Sequence, residues 1–121
     1  MFVGEEDFQN IGVMHVVDVR DLTQPREVAT FAVPGQTPHN FWLDEANQVL
    51  YAAWYDQGLR ALDVSGRLLG RLERQGREYT PTFFDRPPGP GGAFTWAPQL
   101  HGGLVYASDI SLGLLVVTPP L

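Results

Sequence analysis

The chain has 121 residues, one domain's worth by length, and its 44% apolar and 12% aromatic content can pack a core, which excludes wholesale disorder. Its net charge of −6 sits mostly in residues 1–59, which hold nine acids against Arg20 and Arg26; all eight basic residues are Arg, and without a basic stripe such a chain is a poor nucleic-acid binder. No apolar run approaches the roughly 18 residues of a membrane span, and zero cysteines exclude disulfides, thiolate metal sites and a cysteine nucleophile.

Short runs rich in Val, Leu, Tyr and Trp alternate with turn clusters, and no window of a dozen residues keeps a helical stripe. In chain order the pattern predicts strands over Phe2–Glu6, Val13–Val19, Val28–Val33, Asn40–Leu43, Val49–Tyr55, Leu59–Val64, Leu68–Glu73, Phe94–Pro98, Leu104–Ser108 and Leu114–Thr118. Pro34-Gly35, Glu45-Ala46-Asn47, Ser65-Gly66 and His101-Gly102-Gly103 mark turns between them. Arg67, Arg71, Arg74 and Arg77 imitate a helix face, but Gly66, Gly70 and Gly76 interrupt it, so a charged outer strand is the better reading. The expected class is all-β.

An internal repeat narrows this. Tyr51-Ala52 leads, seven residues after the Tyr, to Gly58-Leu59, and Tyr106-Ala107 leads in the same way to Gly113-Leu114; the same step takes Glu5 to Gly12-Val13. Ala61-Leu62-Asp63-Val64 matches Val16-Val17-Asp18-Val19 and, more loosely, Val116-Val117-Thr118. A period of this size holding four short strands is that of a β-propeller blade. The prediction is a single incomplete propeller over residues 1–121, with about two and three-quarter four-stranded antiparallel blades at 1–36, 37–76 and 92–121 and a Pro/Gly-rich loop at 77–91. Blades pack on both faces, so the nearly continuous apolar runs at 49–54 and 113–117 should be covered on both. A closed ring needs about four to eight blades. The missing faces are therefore expected to meet the remaining blades of a longer protein, of which this is the C-terminal piece, or another copy of the chain.

Val16-Val17-Asp18-Val19-Arg20-Asp21 with Pro25 following, Gly58-Leu59-Arg60-Ala61-Leu62-Asp63-Val64, and Tyr106-Ala107-Ser108-Asp109 with Gly113-Leu114 resemble the LVIVD-repeat proteins, over nearly the whole chain. The resemblance implies a β-propeller, usually within longer bacterial or archaeal proteins that are often exported, and from it alone comes an extracellular or cell-surface setting. It carries no established reaction, so no catalytic residue transfers. Family members also have more blades than this chain can supply.

Among individual residues, His39 stands out, because Pro38-His39-Asn40-Phe41 precedes an inner strand and inner strands line a propeller's channel. One His per blade there could build a metal site. The third unit offers Phe94-Thr95-Trp96-Ala97-Pro98 instead, so the stronger reading has His39 holding two blades in register. Asp18 and Asp63 recur at the end of a third strand, where a carboxylate accepts N–H groups of the following turn. Gly12, Gly58 and Gly113 recur before that strand as turn residues. The aromatics are mostly inter-blade packing, although Trp42 and Trp96 could stack on a flat ligand. Glu5-Glu6-Asp7 reads as a solvated rim, and Ser108 lacks a nucleophile elbow.

The function expected is a non-catalytic repeat module that binds a protein or surface ligand, with His39, Asn40, Trp42, Trp96 and Asp109 as ligand-binding candidates and with no metal or other cofactor. The alternative is part of a propeller enzyme whose channel metal site further blades would complete, to which His39, Trp42 and Asp109 would be this chain's contribution.

Overall fold

The computed structural model describes residues 1–64 and 93–119. They form nine strands and, among the described residues, no helix: β1 (Phe2–Gly4), β2 (Met14–Asp18), β3 (Arg26–Phe31), β4 (Phe41–Asp44), β5 (Val49–Ala53), β6 (Leu59–Asp63), β7 (Thr95–His101), β8 (Leu104–Asp109) and β9 (Gly113–Val117). These pair into three antiparallel sheets of three strands each, β1-β2-β3, β4-β5-β6 and β7-β8-β9. The all-β class stands. The predicted four-stranded blades are three-stranded among the described residues, and the sheets do not close into a ring. Leu68–Glu73, the arginine run and the 77–91 loop lie outside the described residues.

Strand ends differ from the periodic pattern for local reasons. The periodic pattern ends the third-unit run at Pro98, but β7 continues to His101. Its register with β8 shifts between Trp96 and Gln99, so Pro98, which has no N–H to offer, falls in the irregularity beside Ala97, whose φ is 37°. β3 begins earlier, at Arg26, and β1 stops at Gly4. Phe2 pairs with Val16 as Tyr51 pairs with Ala61, so the strand position of Tyr51 is taken by Phe2 and not by Glu5. The β1–β2 link is longer than the other two, and the seven-residue step from Glu5 to Gly12 is not the equivalent of the steps from Tyr51 and Tyr106.

The sheets stack through two cores. Met14, Val16, Ala29 and Phe31 of the first sheet meet Leu50, Ala52, Trp54 and Leu62 of the second. On the other side of the second sheet, Val49, Tyr51, Leu59 and Ala61 meet Val105 and Ala107, with Leu115 and Val117 packed against them. β5 is buried along its whole length because both of its faces are covered, as its unbroken apolar sequence demands. β9 departs from the expectation of two covered faces: Leu114 and Val116 point away from the second sheet and are exposed.

Polar ties repeat at the two junctions. Thr37 Oγ1 donates to Glu5 O at 2.6 Å and accepts Asp7 N at 3.0 Å, joining the second sheet to the first. Thr95 N donates to Tyr55 O at 3.0 Å, joining the third to the second. Gly12 serves the first tie, since a Cβ there would lie 1.8 Å from Glu5 O. Gly58 and Gly113 are needed for a different reason, because φ values of 77° and 83° put them in the left-handed region, with open space where a Cβ would stand. Asp18 does cap its turn, accepting Arg20 N at 3.1 Å, but it also takes the Arg20 guanidinium through both oxygens and lies 3.9 Å from Arg26. The hydrogen bonds from Arg20 hold the Asp18 carboxyl well below the usual carboxylate range. Asp63, buried at the end of β6, occupies the corresponding place in the second sheet.

Candidate functional site

The segments leading into β4 and β7, and those leading out of β1 and β5, converge at one edge of the stack. Backbone bonds fix the approach to β4: His39 N donates to Ala53 O at 3.0 Å, and Ala53 N donates to Asn40 O at 2.9 Å. The pairing of β4 with β5 thereby extends two residues beyond the strand and aims the His39 ring at the third sheet. There it stacks on Trp96, with ring centroids 4.9 Å apart and planes 9° from parallel. Tyr55 presents its edge to the same imidazole at 5.1 Å and 84°. Asn40 Oδ1 contacts His39 Nδ1 and accepts Ala97 N at 3.3 Å. A carbonyl oxygen facing both groups can only accept, so the proton of the imidazole contact belongs to Nδ1.

Tyr55 is the centre of the cluster. It is buried, packs on Phe94 at 4.7 Å and Phe8 at 5.1 Å, and faces Trp96 at 6.4 Å. Its φ of 46° is an unfavourable conformation for a bulky residue, so the surrounding contacts must hold it there. The phenol donates to Glu6 Oε1. Burial first, and the Glu6 carboxylate second, raise the Tyr55 pKa far above that of a free phenol, so the group acts as a hydrogen-bond donor and not as a base.

Of the residues singled out in the sequence, His39, Asn40 and Trp96 come together. Trp42 pairs across the second sheet with Tyr51 and is 40% exposed, on a strand interior away from the stacked rings. Asp109 turns its carboxylate inward: Oδ2 accepts Phe94 N at 2.7 Å and Thr95 Oγ1 at 3.1 Å, and Oδ1 accepts Ser111 N at 2.8 Å and Leu112 N at 3.0 Å. With both oxygens engaged by four donors, it positions the start of β7, and so Trp96, instead of facing a ligand. Phe8 and Glu6 were not foreseen as members of the cluster. Both lie in the β1–β2 link, where no strand periodicity reports direction; the Glu5-Glu6-Asp7 rim turns out to be tied down, with Asp7 Oδ1 accepting Gln9 N and Asn10 N.

The surface of this cluster is mixed. Phe8, Glu6, Asn40 and Ala97 are exposed, while His39, Phe94 and Trp96 are half-buried beside them. Trp96 Nε1 is buried and, among the described residues, without a hydrogen-bond partner, a state that costs about 1–3 kcal/mol. A separate cleft of about 450 Å³ is lined by Asp18, Arg20, Asp21, Gln24 and Arg26, but its Arg20 is already committed to Asp18. Among the described residues, no three His, Asp or Glu side chains are placed to share a metal ion. No family model, no curated protein and no solved structure matches the chain.

Proposed function

We propose that the three sheets are consecutive blades of a β-propeller-like repeat and that the chain is a non-catalytic module binding a protein or surface ligand at the His39–Trp96 junction. One observation carries the reading: rings from segments that flank or belong to all three sheets meet at a single edge, held by a left-handed Tyr55, with Phe8 open to solvent on top. Strained, over-determined backbone of this kind clusters at functional sites. The blade reading draws on the sequence repeat and on the resemblance to LVIVD-repeat proteins. The resemblance alone suggests an exported or cell-surface setting.

The chemistry of the junction selects its ligand. Aromatic faces beside the Glu6 carboxylate and the Asn40 amide suit a partner surface presenting a guanidinium or a flat ring, and the acidic first half of the chain adds long-range attraction for a basic one. The test is an NMR titration with Arg-bearing peptides and their Gln-substituted counterparts, following the three indole N–H resonances. Perturbation of Trp96 ahead of Trp42 and Trp54, lost in Trp96→Ala, is the expected result. An undisturbed Trp96 across peptides and surface glycans would overturn the assignment.

A further inference from the structure

The outer face of the third sheet repeats a buried surface. In the second sheet Tyr51 pairs with Ala61 and Ala53 with Leu59; in the third, Tyr106 pairs with Val116 and Ser108 with Leu114. The shared register makes Tyr106, Leu114 and Val116 the counterparts of Tyr51, Leu59 and Ala61. Leu59 and Ala61 are 0% and 1% exposed against the neighbouring sheet, whereas Leu114 and Val116 are 65% and 49% exposed. Among the described residues, a face whose counterpart packs against a sheet is therefore left exposed at the end of the stack, and no polar residue has replaced the apolar ones on β9.

The other end of the stack carries the receiving position, a mixed face on which His15 lies between the Glu5 and Glu27 carboxylates. Val3 pairs with His15 on the outer side of the first sheet, as Ala52 pairs with Arg60 on the side of the second sheet that receives its neighbour. A basic side chain at this position is thus compatible with a sheet junction, since Arg60 is half-buried in one. We propose that the β8–β9 face of one chain docks against the outer β1–β2 face of a second copy, and the reverse, closing a head-to-tail pair. The three sheets of the described residues give six in the pair, within the roughly four to eight of a closed ring. The proposal rests on the blade reading of the sheets but not on ligand binding at His39.

Sedimentation equilibrium of the whole chain, with Val3→Arg and Leu114→Arg each blocking one face, tests it. The parent should run at twice the chain mass and each variant as a monomer. An equimolar mixture of the two variants should recover a pair, because one unblocked β9 face still meets one unblocked β1 face. Leu114→Gln gives the same ordering without a charge, should Arg disturb folding. A parent still monomeric at about 100 μM, weaker than specific interfaces of ordinary size, overturns the proposal; so does an open-ended polymer. Pairing that survives in Val3→Arg alone also overturns it, since that result describes two β9 faces meeting each other. None of these failures touches the Trp96 titration, which reads the ligand site separately.

Discussion

The carbonyl of Tyr55 accepts the amide of Thr95 at 3.0 Å. The residue at the centre of the aromatic cluster, with its left-handed φ of 46°, is therefore also the backbone tie between the second and third sheets, and the same carbonyl accepts Gly58 N at 3.0 Å. Packing and strain can be separated by substitution. Tyr55→Phe removes only the hydroxyl from exposed Glu6 and should cost about 1 kcal/mol or less. Tyr55→Ala keeps the unfavourable φ and loses the ring contacts, and should cost about 3–5 kcal/mol. Urea unfolding of both variants checks this, and equal costs would show that the rings contribute little.

The repeated glycines should separate in the same assay. Gly12→Ala forces a Cβ toward Glu5 O and Thr37 Oγ1, both part of the first sheet junction, so backbone must move; a cost of about 3 kcal/mol or more is expected. Gly58→Ala meets open space and incurs only the left-handed penalty, about 1–2 kcal/mol. The reverse order would mean that the Thr37 tie yields easily.

What could be read from the sequence follows from what each signal measures. The second sheet was legible because burial on both faces of β5 wrote an unbroken apolar run at Val49–Ala53, and because the repeat marked Leu59–Asp63. The end of β7 was not, because proline is a general strand breaker and only the observed bulge explains why Pro98 is tolerated. His39, Asn40 and Trp96 were visible as unusual residues at the starts of inner strands. Their partners Glu6 and Phe8 reach Tyr55 across more than forty positions of chain, from a link whose length hides it from the repeat. The inward turn of Asp109 was equally hidden, since a loop carboxylate looks the same whether it meets a ligand or four internal donors.

Asp109 gives a prediction of its own. Asp109→Ala leaves Phe94 N, Thr95 Oγ1, Ser111 N and Leu112 N without their acceptor and should cost about 2–4 kcal/mol. It should also weaken ligand binding by releasing the strand that carries Trp96. A variant of parental stability with only the ligand lost would return Asp109 to the binding surface.

Acid should act through the carboxylates whose pKa values the fold depresses. Asp18, Asp7 and Asp21 all have lowered pKa values, Asp18 mainly through Arg20, Asp7 through Asn10 and Asp21 through Thr23. A depressed folded pKa contributes stability that is fully present above the ordinary value of 3.8 and is lost as the pH falls from there through the folded value. The thermal midpoint should therefore decline below about pH 4. Asp18→Asn should lower the midpoint at neutral pH and flatten that limb, and added salt should reduce the difference between the two proteins. An acid limb identical in Asp18→Asn would assign it to other carboxylates.

The stacked pair at the junction supplies the last test. If His39 serves the fold through the face it lays on Trp96, a ring without nitrogens should replace it. His39→Phe should then retain stability within about 1 kcal/mol, whereas His39→Ala opens the stack and should cost about 1–3 kcal/mol. The phenyl ring cannot donate to Asn40 Oδ1, so Asn40 keeps only its bond from Ala97 N, and the exposed amide becomes free to reorient. Ligand binding should therefore fall in both variants while stability falls only in one. Indole fluorescence during unfolding reports the stack, and the peptide titration reports binding. Equal destabilisation by Phe and Ala would place the structural role of His39 in its hydrogen bond instead of its ring.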